Sequence, residues 1–167
     1  MTNQPRSYDL IAFDWDGTLY DSTAAITLAI QRSVADLGYQ TPTREQASYV
    51  IGLGLKEALA HAAPDVPHDA YPALGQRYRH HFAQVMGELT LFDGALTLLQ
   101  DLKAAGYRLA VATGKSRSGL NEVLSTMDLK GVFDDSRTAD ETAGKPNPQM
   151  LFELMAAARV SPDRVLM

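Results

Sequence analysis

Apolar residues along this chain form two kinds of pattern, which alternate in its second half. Short, mostly apolar runs, typical of buried strands, lie at 8–13, 107–112, 132–133 and 164–167. Apolar residues at helical spacing lie around these runs, at 95–105, 116–127 and 148–158. Because strands that alternate with helices pair in parallel through right-handed crossovers, this order predicts an α/β fold with a Rossmann-like parallel sheet.

The segment from residue 21 to residue 88 lacks strand-like runs and has helical spacing throughout. Asp21 or Ser22 can cap the first of its helices. We therefore predict an all-helical cap at 21–88. It is inserted into an α/β core that is made of residues 1–20 and 89–167.

The most informative motif is Asp14-Trp15-Asp16-Gly17-Thr18-Leu19, directly after the first strand. Side chains alternate along a strand, so Asp14 and Asp16 lie on the same side. Gly17 permits a tight turn, and Thr18 adds a hydroxyl group beside the two acids. The motif predicts a nucleophilic aspartate, a proton-transferring aspartate and a bound Mg²⁺ ion. The alternative is a strand end closed by an ordinary Asp-Gly turn.

Two further polar motifs lie at the junctions of later elements. Thr113 and Gly114 end the second long strand where a helix begins, so free backbone N–H groups there favour an anion. Lys145 precedes a proline-rich helix start and could neutralise a phosphoryl group. The alternatives are an ordinary turn with Ser116 as N-cap and an exposed loop lysine. A Walker A loop is excluded because Leu109 occupies the position of its first glycine.

Together these motifs resemble those of the haloacid dehalogenase superfamily, and most closely those of its phosphoglycolate phosphatase-like branch. The resemblance covers residues 8–167 and implies a Rossmann-like core with a helical cap. It implies that Asp14 is the nucleophile, that Asp16 is the general acid and base, and that Thr113 and Lys145 hold the phosphoryl group. It also implies Mg²⁺ contacts from the Asp14 carboxylate and the Asp16 backbone carbonyl. The second aspartate favours phosphate chemistry over carbon–halogen cleavage.

The resemblance also suggests which groups contact the substrate. Gly17, Thr18 and Gly114 belong to the first and second motifs and are expected to lie next to it. Lys56, in the predicted cap, is a candidate contact for a substrate carboxylate or a second phosphate. A surface lysine at a helix start is the alternative reading of Lys56.

Composition narrows the classes of function. The chain has 167 residues, no cysteine and a net charge of -5, which excludes thiolate sites and argues against a nucleic-acid partner. Residues 1–7 are polar and do not resemble a secretory signal, and no apolar stretch is long enough to cross a bilayer. We expect a cytoplasmic protein that acts on a small phosphorylated metabolite.

The predicted function is Mg²⁺-dependent hydrolysis of a phosphoglycolate-like ester or a sugar phosphate. A phosphomutase of the same family is an alternative. Related sequences continue after a strand like 164–167 into a segment with further acids, so the chain is expected to be part of a longer protein. A non-catalytic fragment that binds phosphate or a protein partner is therefore another alternative. The expected strand order puts the terminal strand beside the first strand, where further strands would normally follow. Its outer edge would then be unpaired, and the chain could dimerise through it.

Overall fold

The structure is a computed structural model and describes residues 7–127 and 129–167. Within these residues four strands form one parallel sheet in the order β3-β2-β1-β4. The strands are β1 (Leu10–Phe13), β2 (Arg108–Thr113), β3 (Asp135–Thr138) and β4 (Val165–Leu166). The predicted α/β fold with a parallel sheet is therefore confirmed.

Seven α-helices accompany this sheet in the described part of the chain. Four follow β1: α1 (Thr23–Asp36), α2 (Arg44–Tyr49), α3 (Leu55–Ala62) and α4 (Tyr71–Met86). Three accompany the later strands: α5 (Ala95–Ala104), α6 (Arg117–Thr126) and α7 (Gln149–Ala158). None of the described helices is both long and apolar enough to cross a membrane.

The register of the sheet sets the position of the polar motifs. In the pairing of β1 with β2, Leu10 lies beside Arg108 and Phe13 beside Val111. In the pairing of β2 with β3, Thr113 lies beside Thr138. Because the strands are parallel, their carboxyl ends meet at one edge, where ligands of open α/β sheets bind.

Buried side chains divide into three clusters. Strand residues alternate between the two faces of the sheet, with Leu109 and Val111 packing toward α5 and α6 and Ala110 and Ala112 toward α7. The third cluster draws its fully buried residues from positions 26–82, on and between helices α1 to α4. The proposed boundaries between core and cap stay a prediction.

The strand expected at 132–133 is wrong. The strand in this region is β3, which begins at Asp135, and Val132 and Phe133 precede it in the loop. Both side chains pack into the core cluster beneath β1 and β2, and the Phe133 ring meets the Trp15 ring edge-on at 6.3 Å between centroids. The apolar pair therefore reflects burial of a loop.

The pattern missed β3 because its residues are mostly polar. This edge strand is flanked by ion pairs: Arg137 contacts Asp135 at 2.7 Å and Glu153 at 2.9 Å. Charged side chains on an edge strand oppose pairing with another chain. The acids next to this strand take part in hydrogen bonds and ion pairs. Asp134, for example, accepts from Lys103 Nζ at 2.7 Å and from the Leu109 backbone N–H at 2.8 Å.

Glu141, just after β3, provides a test of this network. Its carboxylate accepts two hydrogen bonds from the Arg117 guanidinium, at 2.8 and 2.6 Å, and one from Thr138 at 3.0 Å. The hydrogen bond from Arg117 is the main cause that lowers the pKa of Glu141 from 4.5 to about 2. A depressed carboxyl pKa stabilises the fold above the ordinary pKa, and this stability is lost as the pH falls from 4.5 through 2.

We expect Glu141→Gln to lower the melting temperature at pH 7 by about 2–4 °C, because a partly exposed pair contributes about 1 kcal/mol at most. The difference from the unsubstituted protein should shrink as the pH falls below 4.5. Thermal unfolding followed by circular dichroism between pH 3 and pH 7 measures both effects. Glu88→Gln, at an exposed position without a side-chain partner among the described residues, is the control. A difference that does not change with pH would contradict the assignment.

Candidate active site

Asp14 and Lys145 form the first pair of the site. Asp14 follows β1 directly, and Lys145 comes from the loop before α7, 131 residues later. The Lys145 Nζ donates to Asp14 Oδ1 at 2.6 Å, and both side chains are 21% exposed. The parallel sheet therefore joins the first and last predicted motifs in a contact that solvent can still reach.

Asp16 forms the second pair, with a lysine that the sequence analysis did not single out. Lys115 Nζ lies 3.1 Å from Asp16 Oδ1, and the two side chains are 12% and 10% exposed. Ser22 Oγ donates to the same oxygen at 2.7 Å. Ser22 occupies the N-cap position of α1 but makes no side-chain cap bond, since its hydroxyl serves Asp16. Ser22 therefore occupies the predicted N-cap position, but the hydrogen bond expected of a capping side chain is absent.

Sequence reasoning could have found Lys115, because it follows Thr113 and Gly114 in the same predicted turn. The sequence around Ser22 indicated only that a helix begins there, and it did not indicate a contact with Asp16. Its contact with Asp16 depends on the tight turn between them, which brings residues six apart together.

That turn is built around Gly17. Its φ is +78°, in the left-handed region that favours glycine, and an added Cβ would lie 3.0 Å from Thr23 Oγ1. The Gly17 N–H donates to the Tyr20 carbonyl at 2.9 Å, and the Thr18 N–H donates to the Trp15 carbonyl at 3.2 Å. Thr18 itself is exposed and lines an open groove with Phe13. Its contact with a substrate stays a prediction.

Thr113 and Gly114 lie at the end of β2, on the same edge of the sheet. Thr113 is 1% exposed, and its Oγ1 accepts from the Lys115 backbone N–H at 3.2 Å. Its hydroxyl proton has no acceptor among the residues described, so it is free to donate to an anion. An added Cβ at Gly114 would lie 2.2 Å from the Leu53 carbonyl oxygen and 2.7 Å from that of Gly52. The backbone of the 52–53 loop therefore packs directly on this turn.

Two aromatic rings lie beside Lys115, the lysine that pairs with Asp16. Lys115 Nζ lies 4.9 Å from the Phe82 ring centroid and 5.9 Å from that of Tyr20. Tyr78 stacks on Phe82 with 5.9 Å between centroids. Burial raises the pKa of Tyr78, and the negative charge of Asp16 raises it further. The same two causes, in the same order, raise the pKa of Tyr20. Both phenols therefore stay protonated at neutral pH.

Lys56 is a predicted site residue that the structure does not bring to the others. It is exposed at the start of α3 and makes no hydrogen bond or ion pair with any described residue. Its neighbours Gly52 and Leu53 approach the turn at Gly114 instead, and a Cβ on Gly52 would lie 4.0 Å from Asp14 Oδ2. Its role in substrate binding stays a prediction.

A Mg²⁺ ion needs oxygen ligands, usually one or two carboxylates together with waters. Asp14 Oδ1 is engaged by Lys145, whereas Asp14 Oδ2 has no hydrogen-bonding partner in the described part of the chain. The Asp16 backbone carbonyl, the second predicted ligand, lies at the start of the turn around Gly17. Residues 7–127 and 129–167 contain no group of three or more His, Cys, Asp or Glu residues that could hold a metal. This donor set fits an ion that keeps most of its waters.

Comparison with known proteins identifies the family of this chain. The family model "Haloacid dehalogenase-like hydrolase" matches residues 11–167. The phosphoglycolate phosphatase of Aliivibrio fischeri is 30% identical over 167 residues, an alignment that covers 95% of this chain and 74% of that protein. The tyrosine-protein kinase PtkA of Mycobacterium tuberculosis is 29% identical over 163 residues. That alignment covers 97% of this chain, which thus spans only about half (55%) of the kinase.

Solved structures show the same fold. A predicted phosphatase from Clostridium acetobutylicum matches with a TM-score of 0.81 at 25% identity, covering 97% of this chain and 76% of that one. A predicted phosphoglycolate phosphatase from Haemophilus somnus also has a TM-score of 0.81, at 22% identity, covering 96% and 76%. The chain therefore belongs to the haloacid dehalogenase-like hydrolases, and its similarity within that family is to the phosphoglycolate phosphatase-like branch.

Proposed function

We propose that this protein is a Mg²⁺-dependent phosphatase that hydrolyses a small phosphate monoester through an aspartyl-phosphate intermediate. The observation that carries the proposal is the pair of ion-paired aspartates at one sheet edge, Asp14 with Lys145 and Asp16 with Lys115. The ammonium groups beside the two carboxyl groups attract an anionic substrate to this edge of the sheet. The two acids can therefore take different roles within one site.

In the first step a carboxylate oxygen of Asp14 attacks phosphorus while the bond to the leaving oxygen breaks. Asp16 gives its proton to that oxygen, and the alcohol departs. In the second step Asp16 takes a proton from water, the water oxygen attacks the phosphoryl group, and inorganic phosphate leaves. Asp14 and the protonated Asp16 are thereby restored.

The other site residues stabilise charge during these steps. The Lys145 ammonium neutralises the negative charge on the phosphoryl oxygens, and the Thr113 hydroxyl donates to one of them. Bound by Asp14 Oδ2 and the Asp16 carbonyl, Mg²⁺ would supply further positive charge to the same oxygens. Ser22 fixes the orientation of Asp16 through its 2.7 Å hydrogen bond.

The loop at 52–53 limits the access of water. Its carbonyls lie against Gly114, so no side chain separates this loop from the turn that holds Thr113. Exclusion of bulk water strengthens the ion pairs inside and protects the aspartyl-phosphate between the two steps. The proposed substrate is accordingly a small metabolite, phosphoglycolate-like or a sugar phosphate.

The proposal is tested by measuring release of inorganic phosphate, with and without Mg²⁺, from a panel of small phosphate esters and an aryl phosphate. The expected result is phosphate release that depends on Mg²⁺. A phosphomutase would instead convert a sugar phosphate into its isomer without releasing phosphate. Neither product from a folded protein, as judged by circular dichroism, would favour a protein that only binds phosphate.

A further inference from the structure

The Lys115 ammonium lies between one carboxylate and two aromatic rings. It is 3.1 Å from Asp16 Oδ1, 4.9 Å from the centroid of the Phe82 ring and 5.9 Å from that of the Tyr20 ring. The lysine side chain is only 12% exposed. An ammonium within about 6 Å of a ring centroid is attracted to the ring face, and the attraction grows as water is removed. Phe82, the nearer ring, therefore contributes the larger part of this attraction.

Helix α4 supports both rings. Phe82 belongs to α4, is 9% exposed and stacks on Tyr78 of the same helix with 5.9 Å between centroids. Tyr20 lies in the turn after β1, and its hydroxyl donates to the carbonyl of Met86, the last residue of α4, at 3.2 Å. The rings beside Lys115 are therefore held by the helical segment rather than by β2, which Lys115 follows.

Lys115 depends on such support because a lysine side chain is a flexible four-carbon stem. Its backbone is anchored: the N–H donates to Thr113 Oγ1 at 3.2 Å, and the carbonyl accepts from the Ala139 N–H at 3.0 Å. Asp16 is its one ion-pair partner among the residues described. The backbone contacts thus fix where the side chain begins, and the ring of Phe82 restricts where the ammonium ends.

The ammonium in turn restricts the carboxyl group of Asp16. Ser22 Oγ, at 2.7 Å, and Lys115 Nζ, at 3.1 Å, both lie next to Oδ1. Because both groups donate to Oδ1, the proton that Asp16 gives and takes in the proposed reaction belongs on Oδ2. Two donors from different directions limit the rotation of the carboxyl group more than Ser22 does alone.

We propose that Phe82 is a positioning residue of the active site: its ring holds Lys115 on Asp16 Oδ1 and thereby keeps the carboxyl group in the orientation that proton transfer requires. This inference rests on the proposed phosphatase function. Phe82 acts through Lys115 rather than on the reacting atoms. In the first step, the event that depends on it is therefore protonation of the leaving oxygen, and not the attack of Asp14 on phosphorus.

Two esters that differ in their need for a proton test the inference. Ethyl phosphate loses an alkoxide that must be protonated, whereas 4-nitrophenyl phosphate loses a phenolate that leaves without protonation. We expect Phe82→Leu to slow the single-turnover release of ethanol by about 3- to 30-fold, the effect of one cation–π contact, and to change the release of 4-nitrophenol by less than about twofold. Phe82→Tyr keeps a ring and should retain most of the rate with ethyl phosphate.

Two further variants separate this role from a structural one. In the Lys115→Met background, Phe82→Leu should not change the ratio of the two rates further, because the ring then has no ammonium to hold. Leu74→Ala removes a fully buried side chain from α4 about two turns before Phe82. It should lower the melting temperature without changing the ratio. Since both rates come from one sample, the fraction of folded protein cancels from the ratio.

Two results would overturn the inference: an unchanged ratio in Phe82→Leu, or a ratio that Phe82→Leu still changes in the Lys115→Met background. If the unsubstituted protein releases neither product, the proposed function fails, and thermal unfolding of the single and double variants decides whether Phe82 holds Lys115. A loss of melting temperature from Phe82→Leu that is smaller in the Lys115→Met background would support that contact, and equal losses would refute it.

Discussion

Replacing Asp14 by asparagine is expected to lower kcat at least about a thousandfold, because it removes the nucleophile on which both chemical steps depend. The substitution keeps the shape of the side chain, and the amide oxygen can still accept from Lys145. The loss should therefore appear in turnover rather than in folding. Initial rates of Mg²⁺-dependent phosphate release, normalised to folded protein, measure the effect.

Asp101→Asn is the matched control for this substitution. It makes the same chemical change on the exposed face of α5, where the side chain has no described partner. We expect its rate to equal that of the unsubstituted protein. Substantial activity in Asp14→Asn, within about tenfold of the unsubstituted protein, would show that another group attacks phosphorus.

Replacing Asp16 by asparagine is expected to lower kcat for alkyl phosphates by about 10²–10⁴-fold, the usual contribution of a positioned general acid and base. The loss should be smaller when the first step is measured with an aryl phosphate, because a phenolate leaves without protonation. A burst experiment that separates the first step from the second compares the two leaving groups. An equal loss of the first step for both would contradict the assignment of Asp16 as the acid.

The variant at Asp16 also changes the charge around Lys115, which is only 12% exposed. Removing one partner of such a pair leaves a cation without its anion and can destabilise the fold. Thermal unfolding of the same samples therefore accompanies the kinetics. Because the comparison is between two leaving groups on one variant, a lower fraction of folded protein cancels from the ratio.

The pairing of distant motifs was the part of the site most accessible from sequence. Strand alternation predicted that Asp14 and Asp16 share a side. The order of the elements predicted a parallel sheet, and a parallel sheet brings the motifs of Thr113 and Lys145 to the same edge. The structure brings Asp14 within 2.6 Å of Lys145 and places Thr113 at the end of the neighbouring strand. These predictions rest on the period of a strand and the direction of a sheet, which the sequence pattern determines.

The partners of Asp16 were not predictable in the same way. Ser22 resembled a helix cap, and its contact with Asp16 depends on a turn whose geometry is set by the positive φ of Gly17. The Lys115 ammonium lies next to Asp16 and near the rings of Tyr20, in the turn after β1, and Phe82, in α4. These contacts join segments that are far apart in the chain. Such contacts depend on how the helical segment packs on the sheet, which periodicity does not specify.

The position of β3 was mispredicted for a related reason. An edge strand paired on one side needs fewer apolar residues than a central strand, and Arg137 and Asp135 give β3 a polar pattern. The apolar pair at 132–133 was more visible in the sequence, although it packs as a loop beneath the sheet.

The most direct test of the central claim is to look for phosphate covalently bound to Asp14. The protein is mixed with Mg²⁺ and an aryl phosphate, quenched in acid within one turnover, digested, and analysed by mass spectrometry. The account predicts a phosphorylated peptide that contains Asp14, present in the unsubstituted protein and absent in Asp14→Asn. Full turnover with no phosphorylated peptide, or with the phosphate on another residue, would contradict it.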